Sequence, residues 1–196
     1  MSRKREKGKP RRMKKVILVV CEGETEAAYV DLLRQNYRSP IKVVHRVSGH
    51  DVNKRKLDEF RKALKLSSSD DIKTFLMYDL DIQGIYERLN SHDATLLLSN
   101  PCIELWFLLH SKELRAEMTS SECIKRLQAS DQVWNDYRKP LLSPKQRELL
   151  WNNKEIAVKR AKSLNDFENP SSTIYKLIEI LDAGISQLPL ATGAKK

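Results

Sequence analysis

The sequence predicts an α/β fold: a parallel sheet flanked by helices, followed by a helical C-terminal part. Three observations lead to it. Four short segments read as strands: Val16–Val20 (VILVV), Ile41–Val47 (IKVVHRV), Thr74–Tyr78 (TFLMY) and Thr95–Leu98 (TLLL). The first is a continuous apolar β-branched run, too short for a buried helix and suited to a strand covered on both faces. Stretches of helical periodicity separate them across short polar breaks, and strictly alternating strands and helices imply a parallel sheet. After about Ser111 the pattern turns helical, with no convincing strand. At 196 residues the chain suits one compact domain with an ample core.

The elements follow in order. Cys21-Glu22-Gly23 breaks the first strand, and from Thr25 Ala28, Leu32 and Leu33 share a helical face. Thr25 or Glu24 can cap this helix, acidic Glu24 and Glu26 suit its positive end, and Ser39-Pro40 stops it. The second strand ends in the loop Ser48-Gly49-His50-Asp51. Asn53 can cap a helix to about Leu66, striped by Leu57, Phe60 and Leu64, and Ser67–Asp71 is a polar turn. The third strand ends in Asp79-Leu80-Asp81, with a short helix from Ile82 to Leu89. After the fourth strand, Ser99-Asn100-Pro101 signals a helix start, with Asn100 as cap and Pro101 at the first helical position. That helix runs to about His110. Further helices are expected over Ser120–Ala129, Pro144–Trp151, Asn153–Leu164 and Pro170–Leu181. The expected divisions are a tail over 1–15, an α/β core over 16–110 and a helical part over 111–196 packed on it.

Charge is unevenly spread. The chain carries 36 Lys+Arg against 26 Asp+Glu, a net +10. Met1–Lys15 holds nine of the basic residues and one Glu, so the remaining residues are nearly neutral. A segment this charged and this poor in apolar residues is expected to be disordered alone. It reads as a nucleic-acid arm contacting phosphates through Arg3, Lys4, Arg5, Arg11 and Arg12, or as a solvated tail that aids solubility. Three cysteines without a C-x-x-C pair argue against a disulfide scaffold or zinc finger and fit a reducing cytoplasm. No apolar run is long enough to span a membrane, and no secretory signal is evident.

In an open parallel sheet, ligands bind beyond the carboxyl ends of the strands. Acids gather there: Glu22, with Glu24 and Glu26, after the first strand; Asp79 and Asp81 after the third; Glu104 one turn past the fourth. On an extended backbone Asp79 and Asp81 point to one side, where two carboxylates repel unless a cation joins them. Oxygen ligands without Cys or His select Mg²⁺ or Mn²⁺, and such a site serves phosphate chemistry. The alternative is that both are solvated turn residues or caps. Neither G-x-G-x-x-G nor a P-loop motif is present, which disfavours a dinucleotide site or an ATPase within this chain.

Cys21-Glu22-Gly23-Glu24-Thr25-Glu26 with Tyr29, Tyr78-Asp79-Leu80-Asp81, and the twelve-residue block Ser99-Asn100-Pro101-Cys102-Ile103-Glu104-Leu105-Trp106-Phe107-Leu108-Leu109-His110 resemble the signatures of RloB-like proteins. Weaker echoes are Ala157…Ala161 and Asn169–Thr173. These proteins are encoded in bacterial and archaeal restriction and abortive-infection loci. The resemblance implies a Toprim-like fold, with Glu22, Asp79 and Asp81 binding Mg²⁺ and Glu26 and Glu104 as further acids for a second metal.

The expectation is a metal-dependent nuclease of an anti-phage system. Asp79 and Asp81 would hold Mg²⁺ (or Mn²⁺), and Glu22 would complete the shell or act as general acid/base. Asn100 either orients a carboxylate or caps its own helix. His110 either satisfies helix-end carbonyls and dipole or moves a proton. His45, His50 and His92 lack metal-ligand spacing and receive no role. Trp106–Leu109 read as core. The alternative function is a non-catalytic Toprim-like effector or adaptor working with a partner ATPase encoded nearby.

Overall fold

The computed structural model describes residues 15–37, 41–67 and 70–186. The basic residues Arg3, Lys4, Arg5, Arg11 and Arg12 and the Ser39-Pro40 stop lie outside them. Five strands form one sheet: β1 (Lys15–Cys21), β2 (Lys42–Val47), β3 (Asp71–Asp79), β4 (Thr95–Asn100) and β5 (Ser171–Ser172), in the order β2-β1-β3-β4-β5. The first four are parallel, and β5 runs antiparallel to β4. The helices of the first half are α1 (Glu24–Tyr37), α2 (Lys54–Ala63), α3 (Ile85–Asn90) and α4 (Ile103–Leu109). The second half adds α5 (Ser120–Gln128), α6 (Pro144–Asn152), α7 (Lys154–Lys162) and α8 (Tyr175–Ser186). Among the described residues no helix is long and apolar enough to cross a membrane.

Successive residues of a strand face opposite sides of the sheet. In β1, Ile17, Val19 and Cys21 enter a core shared with α1, α4 and the C-terminal helices. Val16, Leu18 and Val20 enter a second core with Leu57 of α2 and Ile85 and Leu89 of α3. Both faces are covered, which is why VILVV is apolar throughout. Helix α4 is buried along its whole length, Ile103–Leu109, because it lies under α5 and α7 as well as beside the sheet. Tyr29 meets Trp106 edge-on at 6.2 Å, and Phe107 stacks on Trp134 at 5.8 Å.

Three local expectations are corrected. Asn100 does not cap α4: it is the last residue of β4, opposite Ser171, and its amide donates to the Phe167 carbonyl (2.9 Å). Strand pairing extends past Leu98, so α4 starts later, at Ile103, with Cys102 in the capping position. Neither Thr25 nor Glu24 caps α1. Instead Glu26 folds back, and its carboxylate accepts the Gly23 N–H (2.9 Å), satisfying one of the free donors of a helix start. A Cβ on Gly23 would lie 3.2 Å from that carboxylate oxygen. Finally, Pro170–Leu181 is not one helix. Ser171 and Ser172 pair with β4, and Thr173 completes the edge with its N–H on Leu98 O and its hydroxyl accepting Leu98 N–H, both 2.8 Å.

Candidate metal centre at the strand ends

The carboxyl ends of β1 and β3 lie side by side, with Cys21 opposite Met77. Glu22 therefore emerges next to Asp79. Its Oε2 accepts the Asp79 backbone N–H (2.9 Å), and its Oε1 lies 2.8 Å from Nδ1 of His50. His50 is delivered by the loop after β2, which continues the ladder through Ser48 N–H to Cys21 O and Gly49 N–H to Glu22 O. Tyr78 and Ser48 share a short hydroxyl–hydroxyl bond, and Lys56 donates to the Ser48 carbonyl (2.6 Å), so this loop is held from below.

Asp79 is buried, and its Oδ1 has no hydrogen-bond partner. Burial raises its pKa well above the usual carboxylate range; Glu26, Glu22 and Glu104 raise it further, while Lys139 opposes them. Glu26 is raised too, chiefly by burial, against the lowering effect of backbone N–H groups at the start of α1. Glu104, from the first turn of α4, is fully buried. Its Oε1 accepts the Tyr137 hydroxyl (2.7 Å), and its Oε2 pairs with the Lys139 ammonium at 3.0 Å, without the alignment of a hydrogen bond. Buried like charges at this density are costly unless a cation answers them.

Glu22, Glu26, Asp79 and Glu104 thus form one electrostatic group. Asp81 stands apart: β3 ends at Asp79, and Asp81 is exposed beyond it, so the two aspartates are not neighbours on one extended strand. His110 does not reach the cluster. It caps the end of α4, where its Nδ1–H donates to Trp106 O (2.8 Å) and its ring packs edge-on against Trp106. Burial lowers its pKa to about 4, so it is a neutral core residue.

Sequence reasoning missed three contributors. His50 carried a usable signal, since it follows a strand end in a predicted parallel sheet. Tyr137 and Lys139 carried none: they stand near the isolated bridge between Arg138 and Leu141, in a stretch without periodicity. Among the described residues no group of three or more His, Cys, Asp or Glu side chains is gathered so as to hold a metal ion as it stands. The chemistry of the donors nonetheless fits a hard divalent cation: every acid supplies carboxylate oxygen, and Asp79 Oδ1 is unpartnered.

No curated protein and no solved structure matches the chain. A family model for RloB-like proteins matches residues 17–181, a span that includes every strand-end acid of the site. The chain belongs to the RloB-like protein family.

Proposed function

We propose that this RloB-like chain is a Mg²⁺- or Mn²⁺-dependent nuclease with a Toprim-type site, acting in the cytoplasm of a bacterium or archaeon as part of an anti-phage, abortive-infection system. One observation carries the reading: Asp79 is a buried carboxylate with an unpartnered oxygen, set among Glu22, Glu26 and Glu104 where a parallel sheet presents its ligand site. Asp79, Glu104 and Glu26 would hold the ion, with Asp81 recruited from the exposed turn beyond β3. Bound there, the ion would polarise a phosphodiester oxygen and offset charge in the transition state. The protein's own groups do the rest. The Asp79 N–H fixes one oxygen of Glu22, and the other oxygen orients His50. In this reading the pair would move a proton at the scissile phosphate. The basic tail, through Arg3, Lys4, Arg5, Arg11 and Arg12, tethers nucleic acid without reading its sequence.

A second reading has its own support. The acids do not converge on a common point as metal ligands would, and Lys139 neutralises part of their charge, as suits an adaptor or effector subunit that works through a partner ATPase. A Mg²⁺/Mn²⁺ cleavage assay on DNA and RNA, alone and with an ATPase encoded nearby, separates the two. The nuclease reading expects cleavage that Asp79→Ala and Asp81→Ala abolish without unfolding the protein. It also expects deletion of Met1–Arg12 to weaken nucleic-acid binding and flatten its salt dependence. Cleavage undiminished in both aspartate variants removes the site assignment. A wild type that neither cuts nor binds divalent ions leaves the adaptor.

A further inference from the structure

Lys139 enters the acidic cluster from the C-terminal half of the chain. Its side chain is 42% exposed, yet its ammonium lies 3.0 Å from Glu104, which is 0% exposed. Burial works against the charge on Lys139, but Glu104 and then Asp79 hold its pKa above the ordinary lysine value. The same ammonium acts on Asp79 and Glu26 in the opposite direction, so one cation answers three buried or nearly buried acids. It does so incompletely, since Asp79 Oδ1, shut off from solvent, has no partner. The mounting of Lys139 suits release. Tyr137 is anchored between Phe107 and Trp134. Two residues on, the chain reaches the surface, and Leu141 is 77% exposed. A flexible four-carbon stem spans the gap between this surface turn and the buried acids.

Resting on the metal reading above, we propose that the cluster is one cation site with exchangeable occupants: the Lys139 ammonium fills it at rest, and a divalent ion binds by displacing that ammonium, moving the 138–141 turn. An ammonium and a divalent ion drawn to the same oxygens of Glu104 and Asp79 repel each other, so each weakens the other's hold. Exchange also accounts for acids that act on one another electrostatically yet form no ready metal-holding group while Lys139 is paired with Glu104. Metal loading would then report itself at the surface, at the turn that Lys139 leaves.

The test is Mn²⁺ binding to the full chain, by calorimetry at fixed pH and salt, for wild type, Lys139→Met and Lys139→Arg. Removing the competing charge is expected to tighten Mn²⁺ binding by about tenfold or more in Lys139→Met. Lys139→Arg, which keeps the charge, is expected to bind no tighter than wild type. In wild type, saturating Mn²⁺ is expected to speed amide hydrogen exchange across residues 138–141. Binding by Lys139→Met alone also supports exchange. Equal or weaker Mn²⁺ affinity in a folded Lys139→Met overturns the exchange while leaving a metal site in place. No binding by any of the three overturns exchange and metal site together. If Lys139→Met does not fold, the wild-type exchange measurement decides, and unchanged exchange at 138–141 under saturating Mn²⁺ overturns the proposal.

Discussion

At the residue scale, the nuclease reading makes Asp79 a residue that sets function against stability. Its pKa is raised by burial and by three acidic neighbours, so the folded protein holds this proton to higher pH than the unfolded chain does. The unfolded state therefore binds fewer protons in that window, and stability falls as pH rises through it. Asp79→Asn removes the charge at nearly constant shape. It is expected to raise stability at pH 7.5, because the buried charge that the fold disfavours is gone. The gain should shrink as pH falls, and urea denaturation at two pH values reads it. On the nuclease reading, metal-dependent cleavage by the same variant should drop by about 100-fold or more, at least the loss seen when a metal's supporting partners are removed. His110 has the opposite sign. Its pKa is lowered from 6.5 to about 4 by burial. Its contribution is complete above about pH 6.5 and is lost as pH falls toward 4, a span worth roughly 3 kcal/mol. Denaturation of wild type and His110→Gln at pH 7.5 and pH 4.5 should show the smaller acid-side loss in the variant.

At the element scale, β1 to β4 are legible in the sequence, and β5 and the helix boundaries less so. Val16–Val20, Thr74–Tyr78 and Thr95–Leu98 announce themselves because both faces of the sheet are covered, which leaves the body of each run apolar. Asn53 was legible as a cap because capping is local: its side chain accepts Lys56 N–H at 2.9 Å. Asn100 misled for the opposite reason. Asn before Pro is a local helix signal, but β5, supplied from far along the chain, holds Asn100 in the sheet. A two-residue strand of serines has neither length nor β-branched character to reveal it. The edge depends instead on Thr173, fully buried, whose hydroxyl oxygen accepts Leu98 N–H. Thr173→Val keeps the shape but leaves that amide without a partner. The expected cost is about 1–3 kcal/mol, the penalty for an unsatisfied buried donor. Hydrogen exchange should place it locally, as lost protection at Leu98.

At the scale of the whole molecule, the same long-range logic explains the site. Glu22, Asp79 and Glu104 could be proposed from sequence because each follows a strand of the parallel sheet. Their counter-charge could not, because Lys139 and Tyr137 reach the site only through tertiary packing of the C-terminal half. That half is no appendage, since one apolar core runs continuously from Ile17 in β1 to Leu181 in α8. Helix α4 lies at its centre, with Trp106, Phe107 and Leu109 fully buried. A fragment ending at Ser111 would bare part of that helix, at about 1.5–3 kcal/mol for each large side chain returned to water. Three such losses rival the net stability of a typical domain, about 5–15 kcal/mol. The fragment is therefore expected not to fold, although it contains four of the five strands and every acid of the site. The full chain should unfold in one transition, with tryptophan fluorescence and far-ultraviolet circular dichroism coincident. A folded, cooperative 1–111 fragment, or two separated transitions in the full chain, would show that the sheet half stands alone. Lys139 would then be a contact between independent units, whereas one transition makes the charge balance of the site a property of the whole fold.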